Sequence, residues 1–187
     1  MPRAGLRPEG VVAAAAELAD AEGLERLTLA RVAERLGVRT PSLYAHLGGL
    51  PDLRRRLAAR GSDELAGRLQ AAAAGRARRE ALAAVAEAYA AYARAHPGGY
   101  AALQRAPAAD DPEGQAAAAR LLEVVAAVLG GYGLEGEDAI HAIRILRAAL
   151  HGFVSLEAEE GFRIPLELDE TFARLVAVLD RGLSSLR

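Results

Sequence analysis

Apolar residues along the chain recur three or four positions apart, which is the spacing of one helix face. The alternation of apolar and polar residues that is typical of a half-buried strand is almost nowhere found. Alanine, the strongest helix former, supplies 45 of the 187 residues. The pattern therefore predicts an all-α protein of about nine helices joined by short loops.

Prolines, glycines and capping residues delimit these predicted helices. In the N-terminal third we expect helices over Pro8–Glu22, Leu29–Leu36, 41–47 and 51–74, with Thr28 and Thr40 as caps of the second and third. Further along, the pattern predicts helices over 76–95, 100–105, 113–132 and 137–161, and a last helix capped by Asp169. Residues 96–99, His-Pro-Gly-Gly, are expected to break the chain between two of them.

The segment from Thr28 to Leu53 carries the most informative pattern. Two predicted helices of about two turns are joined by a tight turn, as in a helix-turn-helix. Ala33 is small enough for the second helix to cross closely, and Gly37 supplies the backbone freedom of the turn. The apolar residues that face inward are Val32, Leu36, Val38 and Leu43. Exposed residues at the start of the second helix can then enter a DNA major groove.

This segment resembles the DNA-binding domain of the TetR family of transcriptional regulators. The residues that match the family's pattern are Thr28, Val32, Ala33, Gly37, Val38, Leu43, Tyr44, His46 and Leu47. A second set of residues, 147–153 with 155–157, 161–162 and 168–169, is similar to the C-terminal domain of a TetR-like branch with a His-Gly-Phe motif, the WHG type. The resemblance implies a three-helix DNA-binding head, a helical body that binds a ligand and dimerises, and the roles that follow.

The expected DNA-binding residues are Thr28, Arg39, Thr40, Pro41, Ser42, Tyr44, His46 and Arg54. The polar residues that open the second helix would contact base edges, Arg39 through guanine O6 and N7. Thr28, Tyr44 and His46 would contact backbone phosphates, which position the domain without reading sequence.

This chain departs from the family at Leu50, where relatives often have a lysine that anchors a phosphate. One of the arginines 54–56 would replace that lysine, although a run of charges is also typical of a solvated helix face. For Tyr44, the alternative is packing beneath the helix.

The distribution of charge favours a nucleic-acid-binding front. All 23 basic residues are Arg, which together with the alanine content is typical of a GC-rich genome and carries little functional meaning. Residues 1–60 hold 10 Arg against 7 acids, a net +3, and residues 61–187 hold 13 Arg against 18 acids, a net −5. The asymmetry places the positive charge beside the helix-turn-helix segment.

Several function classes find little support. The absence of cysteine excludes disulfides, thiol catalysis and cysteine-based zinc sites. The four histidines, at 46, 96, 141 and 151, are scattered, so we expect no metal, no cofactor and no enzyme activity. The longest apolar candidate for a membrane span, 124–134, has only 11 residues, so we expect a soluble cytoplasmic protein.

The body offers candidate ligand and interface residues. The side chains that could line an effector cavity are Tyr89, Tyr92, Tyr100, Gln104, Arg147 and His151, with ordinary core packing as the alternative for the tyrosines. Because Arg147 lies on an otherwise apolar helix, we expect it to pair with Glu157 or with a ligand anion. The apolar residues expected at a dimer interface are Ile143, Leu150, Phe153, Phe172, Leu175, Val176, Leu179 and Leu183.

Together these features predict a TetR-type repressor that binds a palindromic operator as a homodimer and is released by a small-molecule effector. We expect a DNA-binding domain over residues 1–50 and a ligand-binding and dimerisation domain over 51–187, linked by the helix 51–74. The alternative is a helical ligand-binding or interaction protein whose degenerate head no longer reads DNA. The sequence does not identify the effector or the operator.

Overall fold

The computed structural model describes residues 6–186, which form eight α-helices and two short 3-10 helices, with no strand in that range. The α-helices are α1 (Pro8–Glu22), α2 (Leu29–Leu36), α3 (Leu50–Ala73), α4 (Arg78–Ala95), α5 (Pro97–Leu103), α6 (Pro112–Gly130), α7 (Gly136–Ala158) and α8 (Leu168–Ser184). The 3-10 helices are Leu24–Arg26 and Thr40–Ala45. The all-α class predicted from the sequence is confirmed.

Helices α1 and α2 have the bounds that the sequence predicts. Pro8 opens α1 at a position where its missing N–H leaves no hydrogen bond unmade. Thr28 caps α2 by accepting a hydrogen bond from the backbone N–H of Arg31 at 3.3 Å. Gly37 ends α2 in the left-handed region, at φ 65°, which glycine adopts without strain.

Three other predicted helix starts are wrong. The segment expected as an α-helix over 41–47 is the 3-10 helix Thr40–Ala45, so Thr40 lies inside it instead of capping it. So short a segment has few residues to form α-type hydrogen bonds, and the tighter 3-10 turn is common in such connectors. Helix α8 follows Glu167, which puts Asp169 in its first turn. Pro97 opens α5 inside the predicted break, because a proline at the first helical position needs no N–H partner.

The described chain divides into two compact units. The first comprises the residues up to Asp63 together with 95–118, and the second comprises 64–94 together with 119–186. The first unit therefore contains α1, α2 and also α5, which packs on α1. This division differs from the contiguous one expected from the sequence, because a segment near the middle of the chain joins the N-terminal helices.

The first unit has one hydrophobic core. Its buried members are Val11, Val12, Ala15, Leu18, Leu27, Val32, Ala33, Leu43, Leu47, Leu53, Leu57 and Ala102. Ala102 comes from α5, so this helix contributes to the same core as the helix-turn-helix segment. Burial of these side chains supplies the main force that holds the segment in one conformation.

In the second unit, aromatic side chains join helices that are distant in sequence. The buried hydroxyl of Tyr132 donates to Asp180 Oδ1 at 2.6 Å. Burial first, and then this carboxylate, raise the pKa of Tyr132 far above its usual value. The ring of Phe153 on α7 lies 4.9 Å from that of Phe172 on α8 and 5.2 Å from that of Phe162 in the connecting loop.

Helix α7 corrects one expectation about membranes. Its 23 residues have a mean hydropathy of 1.2 in the most apolar window, so by length and composition alone it could cross a bilayer. A search for unbroken apolar runs misses it, because Arg144 and Arg147 interrupt it. The core helix of a soluble protein passes the same test, so the finding is weak support for a membrane span.

Candidate nucleic-acid interface

The 3-10 helix Thr40–Ala45 is held from below by two leucines. Leu43 and Leu47 are both buried in the core of the first unit. Since the helix is anchored on that side, its other side chains face away from the core. The exposed ones are Arg39, Pro41, Ser42, Tyr44 and Ala45, and we call this set the recognition surface.

Tyr44 does not pack beneath the helix. Its side chain is 60% exposed, which rules out the packing alternative in this conformation. Thr40 and His46, at the two ends of the segment, are half-buried. Thr28 is exposed, and its hydroxyl oxygen caps α2, which leaves the hydroxyl proton able to donate to a phosphate. The structure therefore brings most of the predicted DNA-binding residues to one short segment and its flanks.

Asp52 fixes the end of this segment, and sequence reasoning missed it. Its Oδ2 accepts from the backbone N–H of Gly48 at 2.9 Å, and Arg55 and Arg56 lie at 3.3 and 3.1 Å. Burial alone would raise the pKa of Asp52, but the Gly48 hydrogen bond and the two arginine charges outweigh it and lower this pKa. An acidic residue in the first turn of a helix that reaches back to an earlier N–H was the available signal.

The arginines 54–56, one of which was expected to replace the missing lysine, all make contacts within the chain. Arg54 is half-buried: its NH2 lies 3.5 Å from the Leu24 carbonyl, and its buried Nε has no hydrogen-bond partner within residues 6–186. Arg55 and Arg56 are paired with Asp52. Leu50 itself packs against the core, which gives this departure from the family a structural reason. A DNA contact by Arg54 stays a prediction.

The six candidate ligand residues fall in two units. Tyr100 is buried on α5 in the first unit, and the Gln104 side chain donates to its carbonyl at 3.4 Å. In the second unit, Tyr89 and Tyr92 are buried on α4. The Tyr92 hydroxyl lies 3.5 Å from Glu64 Oε2.

The expected pairing of Arg147 with Glu157 is wrong. Arg147 is exposed, so it faces no requirement for a buried partner. Glu157 instead accepts two hydrogen bonds from Arg94 on α4, at 2.9 and 3.0 Å. The half-buried His151 has its Nδ1 3.4 Å from Ser155 Oγ on the same helix.

Most of the expected interface residues are buried inside a single chain. Leu150 and Phe153 of α7 lie in the core of the second unit, as do four of the five predicted residues of α8, Phe172, Val176, Leu179 and Leu183. Ile143 and Leu175 are half-buried. The prediction that this stripe forms a dimer interface is therefore wrong for its six buried members, because they lie in the core of one chain, where α7 packs on α8.

A different apolar stripe on these two helices is exposed. On α7 it consists of Ile145, Ala148, the half-buried Gly152 and Leu156. On α8 it consists of Val178, Gly182 and the half-buried Leu175, and Leu186 follows just beyond the end of that helix. The spacings of three and four residues place each set on one side of its helix. We call this set the α7–α8 apolar face.

Comparison with known proteins assigns both parts of the chain. The family model described as "Bacterial regulatory proteins, tetR family" matches residues 11–49, and the one described as "Tetracyclin repressor-like, C-terminal domain" matches residues 82–179. An uncharacterized HTH-type transcriptional regulator of Mycobacterium tuberculosis is 41% identical over 181 residues, which cover 96% of this chain and 83% of that protein.

Two solved structures illustrate the fold. A protein of unknown function from Rhodococcus superposes with a TM-score of 0.81 at 22% identity, covering 98% of each chain. A TetR variant from Acinetobacter baumannii, solved in complex with minocycline, has a TM-score of 0.64 at 25% identity, covering 97% of this chain and 94% of that one.

Proposed function

Since the chain belongs to the TetR family of bacterial transcriptional regulators, we propose that it is a repressor that binds a palindromic operator as a homodimer and is released by a small molecule. The observation that carries the proposal is the recognition surface, where a cation and hydroxyl groups stand exposed on a segment anchored by buried leucines. Such a segment can enter a major groove without rearranging its own core. We place the protein in the cytoplasm, where bacterial DNA lies.

In this proposal Arg39 and Ser42 read bases while Tyr44, Thr28 and His46 hold phosphates. Arg39 is exposed, and its guanidinium has the geometry for a bidentate bond to guanine. Tyr44 extends far enough from the core to donate its hydroxyl to a phosphate oxygen. Phosphate contacts would set the register of the head, and Arg39 would supply most of the discrimination between sequences.

The α7–α8 apolar face supports the homodimer. It places apolar side chains in water on two helices that pack together, and soluble proteins generally cover a contiguous apolar patch. A Cβ added at Gly152 or Gly182 would meet no atom of the described chain within 4 Å, so the single chain does not require glycine there. Glycine inside a helix is unfavourable, and a close approach by the helices of a second copy would explain both positions.

The effector is proposed from the family relationship and from the buried tyrosines of α4 and α5. The Acinetobacter relative was solved with minocycline, which supports a small-molecule ligand as a class. We further assign the chain to the branch with the His-Gly-Phe motif, on the basis of His151-Gly152-Phe153. A ligand that binds one conformation of the body better than the other would shift DNA affinity by that difference.

Selection of genomic fragments by the purified protein tests the proposal. We expect one palindrome to be enriched, and we expect its binding to weaken steeply as salt is raised, because phosphate contacts release counterions. Enrichment of no sequence, with the protein folded and dimeric, would contradict the proposal. That outcome would favour a helical ligand-binding protein whose head no longer reads DNA.

A further inference from the structure

One carboxylate of α1 accepts hydrogen bonds from the start of α5. Asp20, in the last turn of α1, accepts hydrogen bonds through Oδ1 from the backbone N–H groups of Gly98 at 2.8 Å and Gly99 at 3.0 Å. Its Oδ2 lies 3.2 Å from Nδ1 of His96. The first N–H groups of a helix have no partner within that helix. Asp20 therefore satisfies donors that would otherwise be left unpaired where α5 meets α1.

The two helices meet backbone to backbone at this point. A Cβ added at Gly98 would lie 2.3 Å from the carbonyl carbon of Ala19 and 2.5 Å from its oxygen, far inside any allowed contact. Both residues are buried. The two helices are therefore in direct backbone contact, beside the hydrogen bonds that Asp20 accepts.

Helix α1 is packed directly against the segment that carries the recognition surface. Val11 and Leu18 of α1 share one core with Leu43, which lies beneath that surface. Glu17 and Glu22 of α1 also pair with arginines of α2 at 2.8 Å. A packed core of this kind moves as one body, because it does not deform continuously.

Helix α5 lies between two of the three points at which the chain passes from one unit to the other, at 94/95 and 118/119. Before it the chain comes from α4 through His96, and after it the chain continues into α6, and both of these helices extend into the second unit. We infer that Asp20 is a positioning residue for operator binding, which holds α5 on α1, the helix that shares one core with the segment under the recognition surface. This inference rests on the proposed function.

Three substitutions in α1 test the inference, measured by fluorescence anisotropy on the palindrome that the parent selects. Asp20→Ala removes the acceptor and is expected to bind the operator about tenfold more weakly, in line with the loss of hydrogen bonds to two backbone donors. Asp20→Asn keeps an oxygen for the two N–H groups and should bind within about threefold of the parent. Glu9→Ala is the control, because it removes one carboxylate from an exposed position of the same helix.

The direction of the change in operator affinity distinguishes the loss of the hydrogen-bond acceptor from the loss of the negative charge. Removing a negative charge from the head should by itself tighten DNA binding, as expected for Glu9→Ala. A loss in Asp20→Ala that Asp20→Asn restores must therefore come from the missing acceptor. Amide exchange at Gly98 and Gly99 should accelerate in Asp20→Ala alone. Gly98→Ala, which leaves Asp20 in place but forces α5 from α1, should reproduce the weaker binding if Asp20→Ala does not fold.

Two results would overturn the inference. One is parent-like operator binding by Asp20→Ala while exchange at Gly98 and Gly99 is accelerated, which would make the contact purely structural. The other is a failure of Asp20→Asn to restore binding. A parent chain that selects no palindrome would instead contradict the proposed function, so the two failures are distinguishable.

Discussion

The recognition surface and the α7–α8 apolar face are both exposed, and each lies on helices whose opposite side is buried in a core. The chemistry of the two surfaces is opposite. The first presents Arg39, Ser42 and Tyr44, whose polar groups are hydrated by water when no partner is bound. The second presents Ile145, Leu156 and Val178, whose exposure to water is unfavourable. The difference teaches that one surface is suited to a reversible, salt-dependent contact and the other to a contact that persists.

The largest expected effect comes from placing a charge on the apolar face. Ile145→Asp should raise the dimer dissociation constant by at least about 100-fold, because an unpaired carboxylate would be buried between copies. Analytical ultracentrifugation across a concentration series measures this. The matched control is Ile140→Asp, a similarly exposed isoleucine of α7 (50% against 44%) five residues away, which the helical repeat places on a different side. Equal effects of the two substitutions would remove the α7–α8 apolar face from the interface.

A smaller effect is expected at the recognition surface. Arg39→Ala should weaken operator binding by roughly 1–3 kcal/mol and relax the preference at one base pair, while the dimer stays intact. Arg26→Ala removes the same charge from another exposed position of the first unit and serves as the control. Competition with mismatched duplexes at fixed salt measures both. If the two variants lose affinity equally for all sequences, Arg39 contacts phosphate and not a base.

Replacing a glycine of the α7–α8 apolar face by alanine should stabilise the single chain but weaken the dimer. Gly152→Ala should stabilise the helix within a chain by roughly 1 kcal/mol, since alanine is the better helix former and the space is open, yet weaken the dimer. Gly67→Ala in α3, where the space is also open, should give the stability gain alone. Urea unfolding at concentrations where the protein is monomeric, alongside ultracentrifugation, checks the pair. A dimer as tight as the parent's in Gly152→Ala would contradict close helix approach there.

The smallest expected effect concerns Asp52. Because its pKa is lowered in the folded state, the stability it contributes is present above the unfolded pKa and is lost as pH falls through the folded one. Asp52→Asn should therefore cost roughly 0.5–1 kcal/mol near pH 7, as for a partly exposed ion pair, and progressively less as the pH falls through the lowered pKa of Asp52. Urea unfolding as a function of pH measures the difference. A cost that is independent of pH would mean that the carboxylate charge is not what matters.

How much of the structure can be predicted from the sequence depends on how far apart along the chain the interacting residues lie. The bounds of α1 and α2 follow from local signals, Pro8, Thr28 and Gly37, and these predictions are confirmed. The exposure of the residues around Tyr44 follows from the same local pattern. The contact of Asp20 with Gly98 joins residues 78 positions apart, and no local pattern announces it.

The body was harder to predict for a related reason. Helices α7 and α8 each carry two neighbouring apolar stripes, and periodicity alone does not tell which of them faces the same chain. The pairing of Glu157 with Arg94 in place of Arg147 likewise depends on which helices meet. Which stripe is buried and which arginine pairs with Glu157 both depend on packing between segments that are distant in sequence. A single sequence shows only the spacing of residues along the chain.

The central claim is that two identical heads read one palindrome. Sedimentation of labelled operator with the protein counts the chains on each duplex, and the same titration with a half-site duplex compares affinities at one salt concentration. We predict two chains on each full operator and binding to the half-site weaker by at least about 100-fold, because one head loses its contacts. A single chain bound to each duplex, with equal affinity for full and half sites, would contradict the account.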